Sequence, residues 1–546
     1  MMKKILALAA ALVLTLGLAS CGSTSVQSAM HVDIDAFLAE FDNAEYTLQP
    51  DGKLILGNEE NLIDVKSYLI DGAADATEAV NSAVQAAAAV GGIVYFSEGE
   101  YDVGNVEIPK DVGFAVATSA VIKVKSGCVF KVNSEDLYIP KKAVLTGEGG
   151  YDFTEGVNYC YPDWFGSGAE GMQKAVNAAD TVYLTKTTYT IGTTVVLPQG
   201  RNIEIIGMSF SGTNINNEVY DSDGSYTFSY VYEEGAPTSV SFSYLQYNDG
   251  TGNSGILLNY EGDPATKAGS VTMHSIRIPG GKSLVQMTNA TGNLFSEIFA
   301  PGNGTLAVFN GGVNDTTFSK VLCSGNKVGL ISADGGEEGA EGLWFYHSSS
   351  VTGAGIDFEI KNYKNVNFID SSGDLGVGKE NKACLYMENV ENFKIIRCWW
   401  ASNAGLSSEP KMGVPQKRVG LWLVNCEGGF ISGCSIVNQI EGVKIMGGSA
   451  DNRIVFEGNT FQGNGYSDIT LDGATGVDVH GNFFNSGNQW GQIKKSPRLE
   501  GGNYAVWVKN GPTSCTVKYN CFGKTYHDDD GAVKSTSGVE STDNLF

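Results

Sequence analysis

The chain has 546 residues, of which 36 are basic and 61 acidic, giving a net charge of −25. That balance argues against nucleic acid as a partner, because binding it needs a basic face. Only 18% of residues are charged and 70 are glycine, which suits an all-β chain with many tight turns.

The first twenty residues read as a leader. Lys3 and Lys4 precede an apolar run over 5–19 that is too short to span a bilayer. It ends in Leu18-Ala19-Ser20-Cys21, which resembles a bacterial lipobox. The resemblance implies cleavage before Cys21, lipidation of its thiol, and an exported protein held at a cell surface or the outer face of a membrane without spanning it. An ordinary signal peptide with a chance cysteine is the alternative. Residues 21–60 form a tether and lead-in. The other nine cysteines are irregularly spaced with no Cys-x-x-Cys pair, so they read as buried thiols rather than a zinc site.

Two later stretches carry the same pattern. Residues 64–103 and 161–191 each hold an opening, an Ala-rich helix, a short apolar strand, a turn and another strand. Ala79, Val80, Ala83, Val84 and Ala87 recur at helical spacing, as do Met172, Ala175, Val176 and Ala179. Each helix is expected to cover the bare end of a β-structure, where unpaired backbone and apolar side chains would aggregate. Residues 212–250 are rich in tyrosine and are expected to form a lateral hairpin or distorted coils.

The C-terminal half aligns with itself. First strands begin GIDFEIKN (355–362), ACLYMEN (383–389), GLWLVN (420–425), GVKIMGG (442–448), DITLDG (468–473) and AVWVKNG (505–511). Each is followed by a Gly/Asn turn and a second strand, all alternating at period two. One column holds Ser371, Cys398, Cys434, Asn459, Asn482 and Asn520; two positions on lie Gly373, Trp400, Ile436, Phe461, Phe484 and Phe522. Like residues once per coil mean stacking, so the spacing predicts one solenoid over 161–525. A first module occupies 61–160 and a polar tail 526–546.

The opening pattern resembles that of the rhamnogalacturonase/epimerase-like pectate lyase superfamily. The residues that carry it are Asp71-Gly72, Thr77, Gly91-Gly92, Val94-Tyr95-Phe96 and Gly99-x-Tyr101, and in the second copy Pro162-Asp163-Trp164-Phe165-Gly166 and Tyr189. The resemblance implies a right-handed parallel β-helix with short N-terminal capping helices. The motifs of polygalacturonase-type hydrolases and of calcium pectate lyases are absent, so it does not bring an activity with it.

The loops suggest where chemistry would sit. Steps between like columns lengthen at about 401–418 and 485–503, leaving one corner three coils apart, about 14 Å along the axis. This corner gathers Lys411, Lys417, Arg418, Lys494, Lys495 and Arg498, with Trp399 and Trp490 beside them. Aromatic faces stack on sugar rings and cations attract carboxylates, so a polysaccharide-binding cleft with a preference for acidic sugars is expected. Solvated loop charges are the plainer reading. Between the loops, Glu441 and Asp468 come one coil apart and are candidate catalytic carboxylates, with Tyr466 a candidate acid or base. Paired carboxylates are also a calcium-ligand set. A glycoside hydrolase, a polysaccharide lyase and a non-catalytic glycan-binding or adhesive lipoprotein all remain open. A monomer is expected over a tailspike-like trimer, because a lipidated N-terminus does not suit attachment to a phage baseplate.

Overall fold

The computed structural model describes residues 62–220, 225–249, 255–280, 283–303, 305–325, 328–352, 355–375, 383–402, 419–486, 504–523 and 539–545, with the short strands Tyr46–Leu48, Leu54–Leu56 and Val533–Lys534. Among these residues the chain is a right-handed parallel β-helix. Three small parallel sheets built from residues 62–152 come first. A long sheet of thirteen strands and a wrapped sheet of twenty-six then run side by side to the C-terminal rungs. Each rung gives one strand to the long sheet and two to the wrapped sheet, whose strands turn a corner between them.

Two helices stand where the repeated opening pattern predicts them. Helix α1 (Thr77–Val90) buries Ala79, Val80, Ala83, Val84 and Ala87. Its start is tied to the sheets: Asp75 accepts from the Thr77 backbone N–H at 2.8 Å, and the Thr77 hydroxyl accepts from Gly104 N at 2.7 Å. It ends at Gly91 in the left-handed region (φ 61°), a C-terminal cap that favours glycine. Helix α2 (Gly168–Ala178) lies against the last strand of the first module and the opening strands of the main helix. The last carbonyls of α2 are satisfied by Arg201, which donates to Val176 O at 3.1 Å and Asn177 O at 2.9 Å. Asp163 of the Pro-Asp-Trp-Phe-Gly stretch is buried and accepts from Thr185 Oγ1 at 3.1 Å and Tyr189 Oη at 3.0 Å, with Lys186 as its ion-pair partner. That stretch is therefore a buried brace for the restart.

The core columns follow the predicted alignment. Cys434 N, Asn459 N and Asn482 N each donate to the asparagine Oδ1 of the next rung at 2.9–3.0 Å, and Asn520 N continues the series to Asn544 at 3.0 Å. Each amide group is thus an internal crosslink that leaves no buried backbone donor unpaired at the bend. Phe461, Phe484 and Phe522 stack with centroids 4.8 and 5.0 Å apart. A second stack over Phe295, Phe318, Phe345 and Phe368, at 4.4 to 5.0 Å, fills a neighbouring column that continues through Ile395, Ile431 and Phe456. Gly373 is where Trp400 turns in: a Cβ there would lie 2.9 Å from the indole ring.

The tyrosine-rich stretch forms distorted coils rather than a lateral hairpin. Among the described residues Ser225–Val231 and Ser239–Asp249 are parallel strands paired to the rungs on either side, with a register shift at Gln246/Asn248 and Tyr244 at positive φ (55°). Tyr230 and Tyr247 are fully buried, and their hydroxyls are matched by Thr238 N at 3.0 Å and Asn217 Nδ2 at 3.1 Å. A tyrosine whose hydroxyl finds a partner serves as a core residue, so tyrosine content alone does not mark an outward surface. The nine cysteines of the described residues carry free thiols, seven of them buried.

Candidate functional site

Six consecutive strands of the long sheet build the most chemically loaded surface: β1 (Ile356–Lys361), β2 (Ala383–Glu388), β3 (Val419–Val424), β4 (Glu441–Gly448), β5 (Ser467–Thr475) and β6 (Tyr504–Lys509). Alternate residues point inward, and the inner columns are aliphatic and aromatic throughout. The outward column reads Glu359, Tyr386, Trp422, Lys444, Thr470, Trp507 in strict register. Two residues on, a second outward column reads Lys361, Glu388, Val424, Met446, Asp472, Lys509.

These side chains form a connected network. Lys361 pairs with Glu359 at 3.1 Å and lies 5.8 Å from the centre of the Tyr386 ring. Tyr386 donates its hydroxyl to Glu388 Oε2 at 2.9 Å. Burial, with the Glu388 carboxylate adding to it, pushes that phenol up to about 12, so it stays a proton donor at neutral pH. The Tyr386 ring meets Trp422 edge-on at 5.3 Å. Lys444 sits 5.5 Å from the Trp422 ring and 3.5 Å from Asp472. Lys509 lies over Trp507 at 3.2 Å, a cation–π contact, and Tyr466 stacks on the same indole at 6.2 Å. Burial lowers the Lys509 pKa, while the charges of Glu441 and Asp472 pull it the other way.

The outward column is covered over at β5. Thr470 belongs to the outward column yet is fully buried, and shares a 2.6 Å hydrogen bond with Ser467. Its in-register neighbours are the large side chains Lys444 and Trp507. Lys444 and Trp507 close over the two small residues from either side. Glu441 stands beside them: it pairs in register with Ser467, and its buried Oε2 has no hydrogen-bond partner among the described residues. Two of the three catalytic candidates are thus linked through one lysine–indole pair: Tyr466 stacks on Trp507, and the charge of Glu441 acts on Lys509.

The third does not join them. Strict alternation would put Asp468 on the face of Thr470, yet Asp468 and Ile469 are successive buried residues, so the alternation breaks there. Asp468 is 1% exposed and accepts from Asn464 Nδ2 at 2.6 Å inside the core. The expected pairing of Glu441 with Asp468 on one surface is thus corrected: the one-coil offset is right, but a local break in the alternation at Asp468–Ile469 takes the carboxylate inside. Trp399 is also displaced from the expected cleft. It faces outward from the wrapped sheet, 49% exposed, at the start of Trp399–Ser402 rather than at its end, where that corner opens. The two long connections do leave the same corner, because Trp399–Ser402 and Phe483–Ser486 are three pairings apart in one ladder. Lys411, Lys417, Arg418, Trp490, Lys494, Lys495, Arg498 and Cys21 lie outside the described residues.

Sequence reasoning missed Tyr386, Trp422, Lys444, Trp507 and Lys509. The signal was present: ACLYMEN, GLWLVN and AVWVKNG carry their aromatic residue at one and the same alignment position. Among the described residues no group of three or more His, Cys, Asp or Glu is arranged to hold a metal ion.

Comparisons with known proteins are distant. Residues 376–546 match the family model of NosD, described as a periplasmic copper-binding protein. No curated protein matches the sequence. Among solved structures, the mannuronan C-5 epimerase AlgE6 A-module of Azotobacter vinelandii is similar at 14% identity, with 88% of this chain and 99% of that one aligned and a TM-score of 0.29. A DFA-IIIase from Arthrobacter chlorophenolicus A6 aligns over 71% of this chain and 99% of its own at 11% identity, TM-score 0.35. The periplasmic alginate epimerase AlgG aligns over 66% of this chain and 78% of its own at 10% identity, TM-score 0.30.

Proposed function

We propose that this chain is an exported carbohydrate-active protein that lays a polysaccharide along β1–β6. The observation that carries the reading is the outward column Tyr386, Trp422, Trp507, interleaved with Glu359 and Lys444. Core packing does not ask for indoles on the solvent side of a sheet. Sugar rings do, because their apolar faces stack on aromatic rings while carboxylates and ammonium groups meet their hydroxyls and acidic substituents.

The chemistry this site supports best is proton abstraction from an acidic sugar. Glu441 is the base that removes the proton beside the sugar carboxylate. Lys509, with Lys444 nearby, balances the charge that develops there, and Tyr466 gives a proton to the departing glycosidic oxygen. The bond between sugar units breaks and an unsaturated uronate remains. A two-carboxylate hydrolysis loses its Glu441–Asp468 pair once Asp468 lies in the core. The same withdrawal of Asp468 favours a second reading, a glycan-binding surface without catalysis. Kinship with the rhamnogalacturonase/epimerase-like superfamily, anchoring through a lipid on Cys21, calcium as an aid to an acidic substrate, and a monomeric state belong to this proposal. The periplasmic setting given for the NosD family supports export.

The test is a panel of pectins, alginate, glycosaminoglycans and neutral glucans, with and without a chelator. Ultraviolet absorbance from unsaturated products that Glu441→Gln abolishes supports the lyase. Reducing ends without absorbance turn the reading to a hydrolase, and binding without either leaves the non-catalytic surface. No binding to any member removes the proposal.

A further inference from the structure

A second surface, on a different side of the β-helix, has its own construction. The outward column of the wrapped sheet runs Ser372, Trp399, Ser435, Thr460, Phe483 in register. Trp399 is 49% exposed and Phe483 42%. They stand three rungs apart, about 14 Å along the axis. Between them the column carries two hydroxyls and no bulk.

The bend beside this column changes at the same rungs. In earlier rungs it bears Glu297, Lys320, His347, Asp370 and Arg397, each at positive φ. The next three bends are Gly433, Gly458 and Gly481, with φ between 63° and 64°. Since five charged or imidazole side chains occupy the same conformation before them, the turn does not itself demand glycine. A Cβ at Gly458 or Gly481 would touch nothing within 4 Å, so packing does not demand it either. What three glycines do is clear the rim of the trough between the two rings.

We propose that this trough is a second glycan-binding surface, for a neutral linear polysaccharide lying along the helix axis with one sugar ring on Trp399 and another on Phe483. Two rings separated by hydroxyls do not make the contiguous apolar centre that a protein interface needs. A sugar chain presents that same alternation of apolar face and hydroxyl. Charge favours a neutral chain. Arg397 is held by Asp370 in two hydrogen bonds of 2.8 and 2.7 Å, and Lys518 pairs with Glu540 at 2.8 Å. The exposed carboxylate of Glu457, on the flanking strand, repels a polyanion. The surface does not depend on the reading of β1–β6, and it would hold the protein on a polymer while the other side works.

The experiment is affinity electrophoresis of the full chain in gels containing hydroxyethylcellulose, glucomannan, galactomannan or alginate, beside Trp399→Ala/Phe483→Ala and a Gly458→Glu variant that refills the rim. Both changes are at exposed positions, and an unchanged thermal unfolding midpoint checks the fold. Retardation by at least one neutral polymer, reduced at least 5-fold in apparent affinity by both variants, is expected. Equal retardation of the variants, retardation by alginate alone, or no retardation by any neutral polymer overturns the proposal. So does a concentration-dependent dimer, seen by light scattering, that the double variant dissociates.

Discussion

The N-terminal and C-terminal halves of the long sheet share a backbone and differ in what they show to solvent. Over Ser225–Asp334 the outward column reads Ser229, Asn259, Gln286, Val308, Ser332; over β1–β6 it reads Glu359, Tyr386, Trp422, Lys444, Thr470, Trp507. Inward, both halves are filled with the same kinds of side chain, from Phe228 and Leu258 to Ile469 and Val506. A solenoid rung stabilises its neighbours through the inner columns and the backbone ladder. The outer columns are free to vary, so a cluster of indoles, lysines and carboxylates confined to one half marks use rather than folding. The comparison makes four expectations that separate inside from outside.

The largest effect belongs to the inner column. Asn482→Ala removes the acceptor for Asn459 N, one of the two acceptors of Asn459 Nδ2, and the side-chain donor to Phe456 O, all of them buried. A loss of roughly 3–5 kcal/mol in unfolding free energy is expected by denaturant titration, since each unmatched buried group costs about 1–3 kcal/mol. A loss below 1 kcal/mol would mean that the ladder is not what holds the rungs.

Glu441→Gln keeps the shape of the side chain and removes a base. Turnover on an acidic polysaccharide is expected to fall about 10²–10⁴-fold with binding changed little. A parallel loss of binding would make Glu441 a contact rather than a base. Trp422→Ala is expected to weaken polysaccharide binding about 10-fold while Gln286→Ala, at the corresponding position in the plain half, changes nothing; stacking energies near 1–2 kcal/mol set that scale.

The smallest effect lies at the capped end, away from both halves. Lys125, with Thr77 second, holds the Asp75 carboxyl at about 2, below its ordinary 3.8. A depressed carboxyl stabilises the folded state above its unfolded value and loses that contribution as pH falls through the folded one. The melting temperature of the wild type should therefore drop more steeply between pH 4 and about 2 than that of Asp75→Asn. Because Asp75 is almost wholly exposed, the difference is expected to be small.

The fold was legible because its determinants repeat. The Asn and Phe columns, the two Ala-rich helices and the Pro-Asp-Trp-Phe-Gly restart each impose one local geometry, and the rungs align them. The site was half legible. Glu441 and Tyr466 could be placed by counting coils, but which side of the strand each residue takes depends on register to a single residue. Asp468 is taken into the core by a break in the alternation that no period-two pattern shows. Trp399 was read as part of the cleft because it precedes a long connection, yet a strand of Trp399–Ser402 separates it from that corner. The aromatic column at Tyr386, Trp422 and Trp507 is interrupted by Lys444 and Thr470, so it emerges only from the strand register and leaves no mark in loop length. Tyr230 and Tyr247 misled in the opposite sense, since a buried hydroxyl with a partner looks in sequence like an exposed one.

The most direct measurement is the binding of an acidic and a neutral polysaccharide series to two matched double variants, Trp422→Ala/Trp507→Ala in the loaded half and Gln286→Ala/Ser332→Ala in the plain half, each checked for an unchanged melting temperature. The loaded-half variant should lose at least 10-fold in affinity for a polymer that the wild type binds, and the plain-half variant should bind as the wild type does. Equal affinities for the two variants would contradict the assignment of β1–β6 as the surface this protein uses.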